Sequence, residues 1–302
     1  MYPHFLIIGA QKAGTTWLDR NLRTHPQIWL PPEKEIHFFD LPRPLPFAAL
    51  RYAPYRSVRH WTRHRLRRDL AKVERGEQTA DWYKRYYYLP RHWRWYRSLF
   101  TPGEGQICGE ATPRYAVSSR RAIASIRRRM PQLKLIYLLR DPIDRMWSDL
   151  AMLHDQRFGG EGTHRVAASA DSSFLKRLAN LRHSRYAENL QRWESLLPTE
   201  NIFIGFLEEI NQQPATILRR IFTFLGVSPE HRSPDDLANQ KINFADYPAI
   251  PHETARRLAD ALIQDTLQLH DRRPSPYIAA WLRRMDTLLS TPERQFCPPA
   301  SA

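Results

Sequence analysis

Two glycines five residues apart, in the segment GAQKAGTT, could hold an anion. Gly9 and Gly14 have the spacing of the phosphate loop G-x-x-x-x-G-K-[ST]. Thr15 stands where that loop has its lysine, and Lys12 lies two residues before the second glycine. Successive backbone N–H groups and a helix N-terminus could still bind a phosphate. The shifted lysine changes the charge beside the anion and the need for magnesium, and this loop alone leaves a nucleotide kinase as an alternative.

A second set of anion-binding side chains follows the apolar run KLIYLL. Arg140 stands at the carboxyl end of this predicted strand, and Ser148 lies about two helical turns further on. Ligands of open α/β sheets bind at such strand ends, and arginine and serine bind phosphate through charge-assisted hydrogen bonds. The alternative is a structural salt bridge between Arg140 and Asp141 or Asp144. The acidic strand of a magnesium-dependent nucleotide hydrolase is not found, since Arg140 interrupts KLIYLLRD and suits phosphate better than magnesium.

The segment KEIHFFD, residues 34–40, offers a carboxylate and an imidazole that could act as a base. Glu35 and His37 lie two residues apart and would share one face if the segment is extended. An ordinary glutamate has a pKa of about 4.3, so an effective base requires burial or an acidic neighbour. His37 is an alternative base, and its other role would be to orient Glu35.

Three apolar runs indicate the elements that position these groups. Phe5–Ile8, Lys134–Leu139 and Ile202–Phe206 alternate with helical patterns, which predicts a parallel sheet buried on both faces. Pro142 suits the first turn of a helix after the second run. The predicted fold is α/β, a P-loop-like three-layer sandwich with a central parallel sheet flanked by helices. One domain over 1–302 is expected, with a basic aromatic helical insertion at about 41–105 and a helical C-terminal region at about 229–290.

The composition favours an anionic partner. The chain has 46 Lys and Arg against 31 Asp and Glu, a net charge of +15 and a pI near 10.1, which favours capture of anions. Two distant cysteines argue against a structural zinc site and a disulfide framework. The sequence has no apolar run of 18 residues, and its start, running into FLIIGAQKAG, predicts a first strand rather than a signal peptide. A cytoplasmic location is therefore expected.

The segment FLIIGAQKAGTTWL resembles the 5′-phosphosulfate loop of the sulfotransferase superfamily, particularly its heparan sulfate and other carbohydrate sulfotransferases. The resemblance continues through THPQI and KEIHFFD. It implies transfer of a sulfuryl group from 3′-phosphoadenosine 5′-phosphosulfate (PAPS) to an acceptor hydroxyl or amine. The product would be 3′-phosphoadenosine 5′-phosphate (PAP), and no metal would be required. The implied cofactor-binding residues of the loop are Gln11, Lys12, Ala13, Gly14, Thr15, Thr16 and Trp17.

The same resemblance assigns catalytic roles and a second cofactor site. Glu35 matches the acidic residue that serves as base, with His37 as the alternative, and Lys12 would neutralise the bridging oxygen of the leaving phosphate. Arg140 and Ser148 would bind the 3′-phosphate, which distinguishes PAPS from ATP. Two phosphate sites at this spacing favour a sulfotransferase over a kinase.

Three further segments resemble the family less completely. SRYAENLQRW implies that Tyr186 lies near the cofactor, and NQKIN implies a 3′-phosphate contact for Lys241. GEATPRY matches the pattern E-K-x-P-x-Y except that Ala111 replaces the lysine. Arg114 is the candidate to compensate for that loss, and Glu110 is either a site residue or a structural carboxylate.

The basic aromatic stretch Arg51–Phe100 is the predicted acceptor-binding region. Its composition also suits a nucleic-acid-binding protein, since basic grooves with aromatic side chains bind single strands. It contains no recognised nucleic-acid-binding module, so no nucleic acid partner is expected. A plain solvated basic helix surface is the other alternative. The expected acceptor is a hydroxylated small metabolite or a saccharide, with an anionic saccharide matching the arginines. The predicted acceptor contacts are Arg59, Arg63, Arg67, Arg91, Arg94 and Arg114.

Overall fold

The computed structural model describes residues 1–41, 46, 49, 56–76, 80–158, 179–240 and 249–291. The chain divides into two compact units, Met1–Leu138 with Arg192–Asn243 and Leu139–Gln191 with Phe244–Ala302. No helix in these described ranges is both long and apolar enough to cross a membrane. The expectation of one domain over the whole chain stays a prediction.

A five-stranded sheet with the order β2-β3-β1-β4-β5 forms the centre of the fold. The strands are β1 (Phe5–Gly9), β2 (Ile28–Trp29), β3 (Ile107–Ala111), β4 (Lys134–Leu139) and β5 (Ile202–Phe206). β1 pairs in parallel with β3 and β4, with Phe5 opposite both Gly109 and Lys134. Every residue of β1 is buried, which explains why its sequence is a continuous apolar run. The predicted α/β fold, a parallel sheet flanked by helices, is confirmed.

Twelve α-helices lie in the described residues. They are α1 (Thr15–Leu22), α2 (Arg56–Glu74), α3 (Ala80–Tyr88), α4 (Trp93–Ser98), α5 (Arg120–Arg129), α6 (Pro142–Phe158), α7 (Tyr186–Glu194), α8 (Leu207–Gln212), α9 (Pro214–Leu225), α10 (Asp235–Asn239), α11 (His252–Arg272) and α12 (Pro276–Ser290). Short 3-10 helices span Pro113–Val117, Ala179–His183 and Thr199–Asn201. α2, α3 and α4 fall within the predicted insertion, and α6 begins at Pro142 as predicted.

β3 departs from the hydrophobic pattern by which the other long strands are predicted. Its sequence is ICGEA, with a glycine and a glutamate in the middle. A Cβ at Gly109 would meet the ring of Phe5 at 2.4 Å, so glycine is required for β1 and β3 to approach. Glu110 is buried in this strand, and the hydroxyls of Tyr96 and Thr112 donate hydrogen bonds that satisfy its carboxylate.

The aromatic side chains of α3 and α4 form a buried cluster. The ring centroids of Trp82 and Tyr86 lie 5.1 Å apart, and those of Tyr86 and Trp95 lie 6.0 Å apart. Ile36 and Phe38, from the segment that carries the predicted base, belong to the same cluster. The buried rings of this cluster stabilise the fold and position that segment, so they are not available for stacking on a nucleic acid or a sugar, whereas Tyr88 of α3 is 51% exposed.

Residues 34–40 form a loop with turns instead of the expected strand. Glu35 and His37 have positive φ angles of 65° and 56°, in the left-handed region, so the chain turns at both residues. The N–H of Glu35 donates to the carbonyl oxygen of Ala111 at 2.9 Å, which ties the loop to the end of β3. The segment is therefore not extended, and the condition under which Glu35 and His37 were expected to share one face is not met.

The second unit has its own helical core. Ile143 and Met146 of α6 pack with Leu258 and Leu262 of α11 and with Met285 of α12, and all five are buried. The apolar side chains of each helix recur at spacings of three or four residues, as expected for helices that bury one face. This packing fixes the beginning of α6, which starts two residues after Arg140, a predicted contact of the 3′-phosphate.

Candidate active site

The loop between β1 and α1 has the backbone of an anion-binding loop. Lys12 and Gly14 both have left-handed backbones, with φ angles of 70° and 89°. Gly14 is the N-cap of α1 and offers no side-chain hydrogen bond to the first amides of the helix. A Cβ at Gly14 would also lie 3.0 Å from Ile210, so space and conformation both favour glycine there. The uncapped N–H groups and the helix dipole suit a phosphate or a phosphosulfate.

Lys34 joins this loop, although the motifs did not mark it as a site residue. Its Nζ donates to Oγ1 of Thr15 at 3.2 Å and to Oγ1 of Thr16 at 2.9 Å. The same Nζ lies 3.7 Å from Oε1 of Glu35. Lys34 thus brings a second cation, besides Lys12, to the two threonines predicted to bind the cofactor.

The other loop residues have different environments. Ala13 and Trp17 are buried, and the indole N–H of Trp17 donates to the carbonyl oxygen of Ala238 at 2.8 Å. Trp17 therefore anchors α1. Gln11 and Lys12 are half-buried at the loop. Lys241, the other predicted phosphate contact, lies outside the described residues.

Glu35, His37 and Asp40 form a hydrogen-bonded row. Nε2 of His37 lies 3.2 Å from Oε2 of Glu35, and Nδ1 lies 2.8 Å from Oδ2 of Asp40. Burial lowers the pKa of His37, but the charges and hydrogen bonds of Asp40 and Glu35 outweigh it and raise this pKa to about 9. His37 is therefore an imidazolium at neutral pH, with one ring N–H directed at each carboxylate. Asp40 was not among the predicted site residues.

The exposure of this row distinguishes the two candidate bases. The Glu35 side chain is 38% exposed, against 11% for His37 and 9% for Asp40, so an acceptor can reach Glu35 most easily. An imidazolium has no lone pair with which to accept a proton. Exposure and the protonation of His37 are thus consistent with Glu35 as the base and His37 as the residue that orients it. The burial or acidic neighbour that the sequence analysis requires of such a base is not found at Glu35, which is partly exposed beside the cations Lys34 and His37.

Glu110 is buried near the loop of residues 34–40 and accepts three hydrogen bonds. The donors are the hydroxyls of Tyr96 at 2.6 Å, Thr112 at 2.7 Å and Tyr115 at 3.2 Å. Burial raises the pKa of Glu110 to about 7, although these hydrogen bonds lower it. The Tyr115 hydroxyl also accepts the N–H of Phe38 at 2.8 Å. Glu110 thus supports the loop through Tyr115, in agreement with the structural alternative for this residue.

Two of the predicted acceptor arginines contact the loop of residues 34–40, which carries Glu35. Arg91 is fully buried, donates to the carbonyl oxygen of His37 and lies 5.8 Å from the centre of the Trp95 ring. The structure therefore assigns Arg91 to holding the loop rather than to the acceptor. Arg114 is exposed, and its Nε lies 3.5 Å from Oδ2 of Asp40.

The remaining predicted acceptor arginines lie on the helices of the insertion. Arg63 and Arg67 of α2 and Arg94 of α4 are exposed to solvent. The Arg59 side chain lies outside the described part of the structure. Their role toward an acceptor stays a prediction.

In the second unit, Arg140 and Tyr186 are in contact. Arg140 directly follows β4, and its carbonyl oxygen accepts a hydrogen bond from the Tyr186 hydroxyl at 2.8 Å. Ser148 is buried in α6. The contact of Tyr186 is therefore with the backbone of a predicted cofactor-binding residue.

The two aspartates beside Arg140 have a different cationic partner. Nη1 of Arg284 lies 2.8 Å from both Oδ2 of Asp141 and Oδ1 of Asp144. Oδ1 of Asp141 caps α6 by accepting the N–H of Ile143 at 2.9 Å. Asp141 thus has a structural role, at the start of the helix that carries Ser148.

The chain is similar in sequence to curated heparan sulfate sulfotransferases. Human heparan sulfate glucosamine 3-O-sulfotransferase 6 is 27% identical over 232 residues, which cover 75% of this chain and 53% of that protein. Mouse bifunctional heparan sulfate N-deacetylase/N-sulfotransferase 3 is 25% identical over 236 residues, which cover 76% of this chain and 23% of that protein. The chain therefore spans about half or less of the length of these relatives.

A solved structure shares the fold. The sulfotransferase from Alicyclobacillus acidocaldarius superposes with a TM-score of 0.62 at 22% identity, covering 93% of this chain and 99% of that chain. The model of the Sulfotransferase family matches residues 3–231, a range that includes the glycine loop, the Glu35 loop and the start of α6. On this match the chain belongs to the sulfotransferase family.

Proposed function

We propose that this protein transfers a sulfuryl group from PAPS to a hydroxyl or amine of an acceptor, with Glu35 as the base. The observation that carries the proposal is the position of Lys34, whose Nζ lies 2.9 Å from the Thr16 hydroxyl and 3.7 Å from Oε1 of Glu35. The anion-binding loop and a partly exposed carboxylate are therefore side by side, as transfer between a bound anion and an acceptor requires.

The residues of the glycine loop fit the phosphosulfate end of the cofactor. When bound, PAPS supplies a sulfuryl group attached to a phosphate that can leave. Lys12, Gly14, Thr15 and Thr16 would hold that end, since they combine a cation, two hydroxyls and the N-terminus of α1. Arg140 and Ser148 would hold the 3′-phosphate, with Tyr186 and Lys241 as further proposed contacts.

Four side chains, from the glycine loop and from the loop that carries Glu35, have roles in the proposed chemistry. Glu35 accepts the proton of the acceptor, a contribution of about 10²–10⁴-fold for a positioned base. His37 directs an N–H at Oε2 of Glu35 and fixes the orientation of that carboxylate. Lys12 and Lys34 stabilise the negative charge on the transferring group and the leaving phosphate, without a metal. The proposed acceptor is a hydroxylated, anionic saccharide, consistent with the net charge of +15.

The test is a calorimetric titration with PAP and with ADP, both without magnesium, on the wild type and on Arg140→Ala. We expect the wild type to bind PAP more tightly than ADP, and the substitution to remove most of that difference because Arg140 would contact the 3′-phosphate. Turnover of PAPS with a saccharide acceptor completes the test. Equal affinity for PAP and ADP, or binding of ATP with magnesium alone, would show that the proposed function is wrong.

A further inference from the structure

A groove of about 610 Å³ runs along α5, outside the residues predicted to bind the acceptor. Its lining includes Phe39, Ser119, Arg121, Ala122, Ser125 and Arg128. Ile123 and Ile126, on the other side of α5, are buried and fix the helix to the fold. Among the lining residues that the structure describes, both charged side chains are arginines.

The two arginines lie on one face of α5. Arg121 and Arg128 are seven residues apart, so they project from the same side of the helix about 10 Å from one another along its axis. Ala122 and Ser125 lie between them, and these small side chains leave the space that forms the groove. The floor is thus a shallow, elongated surface with a cation near each end.

Arg127 and Arg129 of α5 make hydrogen-bond or cation–π contacts within the fold, whereas Arg121 and Arg128 do not among the described residues. Arg127 donates to the carbonyl oxygen of Pro131 at 3.0 Å, and Arg129 lies 4.2 Å from the centre of the Trp93 ring. Within the part of the chain that the structure describes, Arg121 and Arg128 are exposed and make no hydrogen bond or ion pair. Their donors are therefore available to a ligand.

Phe39 lines the groove and belongs to the loop of residues 34–40, which carries the proposed base. It precedes Asp40, which accepts a hydrogen bond from His37. The ring of Phe39 lies 4.8 Å from that of Tyr115, the residue that holds the N–H of Phe38. An acceptor that occupies the groove therefore contacts the loop that carries the proposed base.

We propose that Arg121 and Arg128 form an acceptor subsite that binds two anionic groups of one elongated ligand. A guanidinium makes paired, charge-assisted hydrogen bonds with a carboxylate or a sulfate, and the Ser125 hydroxyl adds a donor between them. The rise of about 10 Å along α5 between Arg121 and Arg128 suits two anionic groups carried on different units of an oligosaccharide. The acceptor is thus an anionic oligosaccharide that lies along α5. This inference rests on the proposed function, since it treats the ligand as the acceptor.

The experiment measures binding of a sulfated heparan hexasaccharide, its desulfated counterpart and inorganic sulfate to the PAP-loaded protein. The variants are Arg121→Gln, Arg128→Gln and the control Arg120→Gln, which removes the same charge from an exposed position of α5 outside the groove. We expect the wild type to prefer the sulfated hexasaccharide. Each groove substitution should weaken its binding about tenfold. The control should change it by about twofold or less.

Three outcomes would overturn the proposal. The first is an equal loss in Arg120→Gln, which would show that affinity follows net charge alone. The second is the absence of any effect in both groove variants, and the third is inorganic sulfate competing as well as the hexasaccharide, which would reduce the groove to a site for single anions. PAP titration of the same variants should give the wild-type affinity. Failure of the wild type to bind PAP would contradict the proposed function itself, so the two failures are distinguishable.

Discussion

Oε2 of Glu35 lies 3.2 Å from Nε2 of His37, although neither residue has an extended backbone. In the described part of the chain, the non-glycine residues with positive φ are these two and Lys12. Such conformations cost about 1–3 kcal/mol each and persist where the surroundings determine them. Here Arg91 holds the carbonyl of His37, and Ala111 holds the N–H of Glu35. Tertiary contacts thus maintain disfavoured backbones at Glu35 and His37, two of the three predicted catalytic residues.

Glu35→Gln tests the base. The amide keeps the shape of the side chain but does not accept a proton, so kcat with PAPS and a saccharide acceptor should fall about 10²–10⁴-fold. PAP affinity should stay within about twofold, because Glu35 is not proposed to contact the cofactor. Glu104→Gln, an exposed control, should leave both quantities unchanged. Near-normal turnover by Glu35→Gln would assign the base to another group.

His37 should stabilise the fold in a pH-dependent manner. Its pKa is raised from 6.5 to about 9 by Asp40 and Glu35 against the effect of burial, so the folded state binds the proton more tightly than the unfolded state. The stabilisation is fully present below pH 6.5 and is lost as the pH rises through 9. It amounts to at most about 3 kcal/mol.

Denaturant unfolding of the wild type and His37→Asn from pH 6 to pH 10 measures this effect. The difference between the two free energies of unfolding should shrink toward pH 10. Asp40→Asn should keep His37 but move the loss of stability to lower pH, since Asp40 is the main cause that raises the pKa. A difference that does not depend on pH would mean that folding does not raise the pKa of His37.

Lys34→Met tests the cation that bridges the glycine loop and the base. The substitution removes the donor to the Thr15 and Thr16 hydroxyls and a positive charge near Glu35. We expect kcat/KM for PAPS to fall about tenfold or more, because charge stabilisation on the transferring group is lost. Lys84→Met, on the exposed surface of α3, is the matched control. Equal activities of the two variants would confine Lys34 to a structural role.

Strands buried on both faces are predictable from the sequence, because such strands consist of continuous runs of apolar residues. β4 and β5 match their predicted limits, and β1 extends one residue further, to Gly9. β3 is not predictable in this way. Its glycine is explained by the approach of Phe5, and its buried Glu110 is satisfied by Tyr96 and Tyr115, which tertiary structure brings together.

The site is predictable in its motifs but not in its contacts. Gly14 and Glu35 follow from segments that resemble the family. The contacts of Lys34 and Asp40 depend on left-handed backbones at Glu35 and His37, which residue propensities disfavour. Burial of Arg91 depends likewise on the carbonyl of His37 and on the aromatic cluster, neither of which the helical spacing indicates.

Glu110→Gln tests whether burial raises the pKa of the Glu110 carboxylate in the folded protein. Burial raises this pKa from 4.5 to about 7, so the folded state disfavours the ionised form. The wild type should therefore lose stability as the pH rises from about 4.5 through 7, by at most about 3 kcal/mol, whereas glutamine does not ionise. Glu110→Gln should gain stability relative to the wild type between pH 5 and pH 8, measured by denaturant unfolding. Its hydrogen bond acceptor for Tyr96 remains, so kcat at pH 6 should stay close to that of the wild type. A relative stability that is constant with pH, or that falls toward pH 8, would show that folding does not raise the pKa of Glu110, because its hydrogen bonds offset or outweigh the effect of burial.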